Sequence, residues 1–143
     1  MTEAQHNLRN SWIKHGNDSD FSIYNIPFGI AKYKDHTIRV VTRIDDQVVN
    51  LYALFKDGYF AGISRSLEGL FDQTTLNLFI DAGKKITSGV RQRIQQLLDE
   101  NDTEIANKDE FVSRYMIPYD EVEMMLPVKI NNYTDFYSSL EHA

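Results

Sequence analysis

The sequence predicts an α+β fold that is mainly β, with short strands first and helices after them. Residues 28–60 contain short runs rich in Ile, Val, Tyr and Phe, separated by turn-forming residues. After Leu70 the apolar residues recur at spacings of three and four, which is the helical period. Because strands and helices occupy separate parts of the chain, alternating β-α-β units are disfavoured.

The predicted strands are separated by tight turns at residues 34–36, 44–46 and 56–59. In an extended run over 37–44, one face carries Ile38, Val40, Thr42 and Ile44, and the other carries Arg39, Val41 and Arg43. The chain then turns into a second strand over 47–51. A meander or a small barrel is the simplest arrangement of such strands.

Three helices are predicted, at about residues 72–82, 84–100 and 107–116. The first begins with Asp72 as N-cap and ends at Gly83. The third begins with a capping box formed by Asn107 and Glu110. The second is the most regular, because its apolar residues form a single stripe of Ile86, Val90, Ile94, Leu97 and Leu98. A further short strand is predicted at 124–126.

Composition excludes several classes of function. The chain has 143 residues, 42% of them hydrophobic, which is enough for one domain with a core. Its net charge of -6 disfavours nucleic acid and anionic membranes as partners. The lack of cysteine removes disulfides, thiol nucleophiles and cysteine-ligated zinc, and is typical of the cytoplasm, where we expect the protein. No leader and no apolar run of ~20 residues occurs, so a soluble protein is expected.

Reactive side chains are densest in residues 133–143, which include Asp135, Tyr137 and His142. If Thr134 caps a short helix, Asp135 and His142 project from the same face, about two turns apart. Asp135 suits a hard cation such as calcium or magnesium, and His142 can accept a proton near neutral pH. Such cations take about six or more oxygen ligands, so one carboxylate is not a complete site. The same residues also have a structural interpretation, in which Asp135 caps a helix, the Tyr137 ring packs and the His142 imidazole is solvated. Spacing alone does not decide between this structural interpretation and the functional one.

Other polar residues have simpler explanations. His6, His15 and His36 lack partners at ligand spacing, and we assign them no role. The acidic groups at 45–46, 57 and 99–102 do not continue as EF-hand loops. Neither GxGxxG nor GxxxxGK occurs, so a nucleotide cofactor is unsupported.

Four segments together resemble the fumarylacetoacetase family. Residues 133–139, reading YTDFYSS and followed by two variable positions and His142-Ala143, resemble the signature at that family's domain junction. Residues 19–29 are similar to its opening segment, 72–77 to its DxTTLN helix start, and 125–127 to the approach to the junction. The matches follow the family's order. Leu140-Glu141 differs from many relatives, and the signature ends before its usual TNVG continuation.

The resemblance implies a two-domain hydrolase of which this chain is the first part. Residues 1–18 would be a partly ordered segment, 19–126 an SH3-like small β-barrel with the added helices, and 127–143 a linker and the start of an absent catalytic domain. The family cleaves the carbon-carbon bond of 4-fumarylacetoacetate to give fumarate and acetoacetate, in tyrosine and phenylalanine breakdown. This chain alone is expected to be inactive.

The resemblance also implies roles for the terminal residues. By position, Asp135 would be a ligand of a calcium or magnesium ion, Tyr137 a substrate-contacting phenol, and His142 the base that activates water. The other metal carboxylates would come from the catalytic domain, so no tightly bound metal is expected in this chain. The expected partners are the chain's own C-terminal catalytic domain, the substrate, and a second full-length subunit in a homodimer.

A different function remains open from the sequence. The same barrel would serve as a non-enzymatic protein-binding module if an exposed aromatic face, including Tyr24, Phe28 or Tyr59, bound a protein partner. A native gene that continues past Ala143 with metal carboxylates favours the enzyme, and one that stops there favours the module.

Overall fold

A five-stranded sheet and four helices make up the part of the chain that the computed structural model describes, residues 11–13, 26–64 and 67–128. The strands are β1 (Phe28–Lys32), β2 (Ile38–Ile44), β3 (Gln47–Asn50), β4 (Met116–Pro118) and β5 (Glu123–Met125). The helices are α1 (Leu51–Lys56), α2 (Asn77–Asp81), α3 (Lys84–Leu98) and α4 (Lys108–Tyr115), and a 3₁₀ turn (Tyr119–Glu121) joins β4 to β5. The predicted α+β class is confirmed.

The sheet is antiparallel throughout, in the order β4-β3-β2-β1-β5. A two-residue turn at Asp45-Asp46 joins β2 to β3, as the sequence predicts. The central strand, β2, is buried on both faces, because Val40 and Val41 are both fully inaccessible although they point to opposite sides. Val41 shares its face with Arg39 and Arg43, as the alternation predicts, and Tyr119 packs against that face.

The predicted SH3-like barrel is not confirmed, because the sheet is open: among the described residues, β4 and β5 each pair on one side only. The connection between these edges nevertheless requires strong curvature. Pro118 ends β4 and Glu123 begins β5 five positions later, a distance of at most ~18 Å even for an extended chain. A flat sheet of this width would separate its edge strands by ~19 Å across the strands alone. The sheet must therefore coil to bring its edges towards each other.

Helices and loops cover one face of the sheet and form the main core. The α3 stripe is confirmed: its buried residues are Ile86, Val90, Ile94, Leu97 and Leu98. Around it lies a chain of rings in which Phe71 contacts both Phe60 and Phe79, at centroid distances of 5.4 and 5.5 Å. Phe79 in turn meets Phe28 of β1 edge-on at 4.7 Å. Edge-to-face and tilted ring pairs of this kind add to the stabilisation from buried area.

The connection between β4 and β5 covers the other face of the sheet. Ala31, Val41 and Val48 form a second buried cluster there, against which Tyr119 and Val122 pack. The Tyr119 N–H donates to the Asp46 carbonyl at 2.7 Å, and the Arg43 guanidinium lies 3.7 Å from the centre of the Tyr119 ring. These contacts hold the 3₁₀ turn against the β2–β3 hairpin.

The prediction of a strand through residue 51 is wrong, because α1 begins there. The Asn50 side chain accepts a hydrogen bond from the Ala53 N–H at 3.0 Å and so caps the helix. Leu51 and Leu54, three positions apart, are buried on the same side. A short apolar run fits a strand or a helix equally well until its partner is known.

The predicted N-cap at Asp72 is also wrong, since α2 begins only at Asn77. The Leu76 N–H donates to the Pro127 carbonyl at 2.6 Å, and the Asn77 N–H donates to the Thr75 hydroxyl at 3.2 Å. These bonds satisfy backbone groups at the helix start without Asp72. Gly83 ends the helix as predicted, with a φ of 100° that favours glycine. The Asn107 cap of α4 is confirmed, because its side chain accepts from the Glu110 N–H at 3.0 Å.

A segment near the amino terminus caps the end of α3. The Trp12 N–H donates to the Leu98 carbonyl at 3.1 Å, and the Trp12 indole N–H donates to the Leu97 carbonyl at 2.8 Å. The last carbonyls of a helix lack partners within the helix, so these two bonds satisfy groups that would otherwise need water. The indole also meets Phe111 of α4 edge-on at 5.9 Å.

The loop between α3 and α4 is held by a largely buried ion pair. Lys108 Nζ lies 2.8 Å from Asp102 Oδ2, and the Asp102 side chain is only 6% exposed. Burial alone would raise the pKa of Asp102, but hydrogen bonds from the Lys108 ammonium and the Ile105 N–H outweigh it and lower that pKa below its usual value of 3.8. The charged form is therefore the stable one in the folded chain.

Replacing Ile94 with alanine is expected to lower the free energy of unfolding by about 2–5 kcal/mol, because Ile94 is 1% exposed in the centre of the main core. Urea denaturation followed by circular dichroism measures this loss. Gln92→Ala, at an exposed position of the same helix, is the control and should change stability by less than ~0.5 kcal/mol. Equal losses in the two variants would contradict the placement of the α3 stripe.

Replacing Asp102 with asparagine is expected to lower stability by about 1–3 kcal/mol at pH 7, because the Lys108 ammonium loses its carboxylate partner. A carboxyl whose folded pKa is depressed stabilises the fold above its unfolded pKa and stops doing so as the pH falls through the folded value. The difference between wild type and variant should therefore be complete above pH 5 and shrink below 3.8. Denaturation curves between pH 7 and pH 2 test this, and a difference that does not vary with pH would contradict it.

Candidate functional site

The three predicted site residues, Asp135, Tyr137 and His142, lie outside the described residues, which end at Val128. Within residues 11–13, 26–64 and 67–128, no three His, Cys, Asp or Glu side chains lie close enough together to hold a metal ion. The His36 side chain is exposed in the turn between β1 and β2, where the backbone N–H of His36 donates to the Tyr33 carbonyl at 2.8 Å. None of the helices in these ranges combines the length and apolar content needed to cross a bilayer.

Residues 126–128, which follow β5 and lead towards the predicted site, are held in place by the described domain. Strand β5 pairs with β1, and the three residues after it, Leu126-Pro127-Val128, run past the start of α2. The 2.6 Å hydrogen bond from Leu76 N–H to the Pro127 carbonyl joins this exit segment to α2. The backbone that leads to Asp135, Tyr137 and His142 is therefore attached to the sheet through β5 and to α2 through Pro127.

A polar cluster of Asp57, Arg114 and Tyr115 joins the ends of α1 and α4. The Tyr115 hydroxyl donates to Asp57 Oδ2 at 2.5 Å, and Arg114 Nε lies 3.5 Å from the same oxygen. Asp57 is held at the end of α1 by its own N–H, which donates to the Ala53 carbonyl. Sequence reasoning assigned Asp57 only to a turn, because its partner lies 58 positions away and no local pattern indicates it.

Two phenols near this cluster stay protonated at ordinary pH. Burial, followed by the hydrogen bond to Asp57, raises the pKa of Tyr115 far above its usual value of 10.0. Burial also raises the pKa of Tyr33 to about 12, and its hydroxyl has no hydrogen-bond partner among the described residues. Both hydroxyls therefore keep their protons near neutral pH, but only that of Tyr115 has an acceptor among the described residues.

Beside the cluster lies a groove of about 400 Å³ with both signs of charge on its walls. Arg39, Lys56 and Arg114 line it together with Asp35 and Asp57. The Arg39 guanidinium stacks over the Tyr52 ring at 4.5 Å from its centre. The described lining of the groove contains no histidine, and hydrogen bonds from Thr37 hold the pKa of its Asp35 carboxyl below the usual 3.8.

The predicted exposed aromatic face does not form at two of its three positions. Phe28 is partly buried, packs on Phe79 and is covered by the Arg91 guanidinium at 4.8 Å. Tyr59 is partly buried between Phe111 and Tyr115, at centroid distances of 5.8 and 5.5 Å. Tyr24 lies outside the described residues. These rings stabilise the core and do not form an open aromatic surface.

Comparison with known proteins assigns this fold to a family. The family model described as "Fumarylacetoacetase N-terminal" matches residues 24–127, which is most of the chain. The chain belongs to the fumarylacetoacetase N-terminal family. Similar proteins include the fumarylacetoacetases of Dictyostelium discoideum, 35% identical over 93% of this chain, Arabidopsis thaliana, 33% over 95%, and Homo sapiens, 32% over 93%.

The fumarylacetoacetase relatives are much longer than this chain. It spans only 31–32% of these three proteins, about a third of their length. The family match ends at residue 127, directly after β5, so it coincides with the described domain and stops before Asp135. The match to the family model therefore does not include the terminal signature, whereas the similarity to the rice fumarylacetoacetase, 28% identical, covers the whole chain.

Replacing Tyr115 with phenylalanine is expected to lower the free energy of unfolding by about 1 kcal/mol, because a hydrogen bond to the partly exposed Asp57 carboxylate is lost. In an Asp57→Ala background the same change should have less effect, since the acceptor is already gone. A double-mutant cycle in urea measures this coupling. A coupling of zero would contradict the assignment of the cluster as a link between α1 and α4.

Proposed function

We propose that this chain is the amino-terminal domain of a fumarylacetoacetase, a hydrolase that cleaves the carbon-carbon bond of 4-fumarylacetoacetate to fumarate and acetoacetate. The family match over residues 24–127 carries this proposal, together with relatives named fumarylacetoacetase that extend well beyond the matched region. The signature at residues 133–143 is separated from the end of the exit segment by four residues. The chain by itself is inactive in this proposal, and the whole protein acts in the cytoplasm as a homodimer.

We further propose that the domain is a partly closed SH3-like barrel. In support, the strand order brings the first strand between β5 and β2, and a single 3₁₀ turn connects the two edge strands. The short connection between β4 and β5 requires the sheet to coil, and a sheet must also coil to close into a small barrel. In this proposal the helices cover the outside of a partly closed barrel.

The proposed roles of the terminal residues follow from the reaction. His142 removes a proton from water, and the resulting hydroxide adds to the carbonyl carbon next to the bond that breaks. The electron pair of that bond passes into the enolate of acetoacetate, which takes up a proton, while the acyl part leaves as fumarate. Tyr137 donates a hydrogen bond to the substrate, and Asp135 provides one oxygen ligand to calcium or magnesium.

The divalent cation, when bound, would supply polarisation of the diketone oxygens. Asp135 is one of about six or more oxygen ligands that such a cation takes, so further carboxylates must come from residues beyond this chain. The described domain adds no cluster of metal-ligating side chains to that set. Its proposed contribution is to hold the backbone that leads to Asp135.

The proposal is tested by measuring fumarate release from 4-fumarylacetoacetate by this chain and by the full-length product of its gene, with added calcium or magnesium. Only the full-length protein should be active, and His142→Ala should lower its rate by at least about 100-fold, since a general base contributes that much or more. Asp135→Ala should weaken activity and metal affinity together. Gln92→Ala, on an exposed face of α3, should leave the rate unchanged. A full-length protein that binds the metal but does not hydrolyse the substrate would overturn the proposal.

A further inference from the structure

A pocket with apolar walls lies between β1, α2 and the first half of α3. Its volume is about 340 Å³, which is within the range of pockets that bind small molecules. Phe28, Leu76 and Phe79 line it on the side of the core. Phe79 is 1% exposed and meets Phe28 edge-on at 4.7 Å, so this side of the pocket is firmly packed. We call this cavity the α3 pocket.

A large apolar side chain at the α3 pocket remains exposed to solvent. Ile80 of α2 lines the pocket and is 54% exposed, whereas the adjacent Phe79 is buried. A molecule with an apolar body would remove part of this surface from water, which is favourable. Single exposed apolar residues are common on proteins, so Ile80 indicates a ligand only together with the charges around it.

The charged residues that line the α3 pocket are all basic and come from one row of α3. Lys84, Thr87 and Arg91 line the pocket at spacings of three and four residues, which places them above one another on the helix. The Thr87 hydroxyl already donates to the Lys84 carbonyl at 3.2 Å. The described lining contains no acidic residue, and Asp81, three positions before Lys84, is not part of it. The pocket therefore combines apolar walls with positive charge.

Arg91 is held in a fixed position and still has hydrogen-bond donors available. Its Nε donates to the Ile26 carbonyl at 3.2 Å, and its guanidinium lies 4.8 Å from the centre of the Phe28 ring. Neither contact uses the N–H groups of the two Nη atoms, which have no acceptor among the described residues. A guanidinium that is already ordered binds an anion at a lower entropic cost than a freely rotating one.

We propose that the α3 pocket binds a small organic acid with an alkyl or aryl body and one carboxylate. The body lies against Phe79 and Ile80, and the carboxylate accepts hydrogen bonds from Arg91 and faces the exposed Lys84 ammonium. An anion is chosen because the charged residues of the described lining are all basic, and a carboxylate because its two oxygens match the guanidinium geometry. A phosphate ester matches that geometry too, but it carries up to two charges and costs more to desolvate against apolar walls. This site goes beyond the proposed hydrolysis and does not depend on it.

Titration of the ¹⁵N-labelled 143-residue chain with sodium octanoate, followed by amide chemical shifts, tests the proposal. The shift changes should be concentrated at residues 76–80 and 84–91. Octanoate should bind at least about ten-fold more tightly than acetate, which lacks the apolar body, and than 1-octanol, which lacks the charge. Acetate or 1-octanol binding as tightly as octanoate would overturn the proposal, as would tighter binding of octyl phosphate.

Substitutions at exposed positions locate the binding within the chain. Lys84→Gln should weaken octanoate binding by about three-fold, as expected for an exposed charge, and Ile80→Asp by at least about ten-fold, because it adds a negative charge and removes an apolar contact. Lys85→Gln is the matched control: it removes the same charge from the same turn of α3, but Lys85 does not line the pocket, so the affinity should not change. Equal weakening by Lys84→Gln and Lys85→Gln would reduce the binding to general charge attraction and overturn the proposal.

The full-length product of the gene distinguishes this site from the proposed hydrolysis. It should bind octanoate with the affinity of the 143-residue chain, and loss of binding in the longer protein would overturn the assignment of the pocket as a ligand site. Octanoate binding by a full-length protein that releases no fumarate would support the pocket and remove the proposed hydrolysis alone.

Discussion

The fold depends on a single strand that must be buried on both sides. Val40 and Val41, neighbours in β2, are both inaccessible and face opposite ways, so each face of the sheet needs its own cover. Helix α3 and the aromatic chain around Phe71 cover one face, and the β4–β5 connection with Tyr119 covers the other. Because that connection is short, covering the second face also forces the sheet to curve. The β4–β5 connection thus couples the burial of β2 to the curvature of the sheet.

The parts of this fold that could be predicted from sequence are those encoded locally. The α3 stripe depends on spacings within one helix, and the Asn107 cap depends on a residue three positions away, so both were predictable. Helix α1 was not, because Leu51–Lys56 is a short apolar run that suits a strand equally well. Strand β4 has three residues and is defined by its pairing with β3, 67 or more positions earlier, which no local pattern reveals.

Within the candidate site, too, the features that could be predicted are local in sequence, and those that could not are contacts between distant residues. Asp57 and Tyr115 form the best-defined polar contact near a groove, yet they are 58 positions apart and the sequence predicted neither role. Asp135, Tyr137 and His142 were predicted because they fall in one dense segment whose order resembles a known signature. That segment lies outside the described residues, so its assignment rests on the resemblance. The described domain supplies an anchored backbone, and its Asp57 and Asp102 carboxylates are used in structural contacts.

The Trp12 indole that caps α3 is a fluorescent group located outside the sheet. Trp12 is the only tryptophan in the chain, and it lies outside the helices and strands, against the last turn of α3. Intrinsic tryptophan fluorescence therefore reports the attachment of the amino-terminal segment, with Phe111 and the Lys108 ammonium 5.4 Å from the indole ring as its immediate surroundings. Detachment of that segment would change the emission while the sheet stays folded. Fluorescence and circular dichroism can then follow two different events in the same sample.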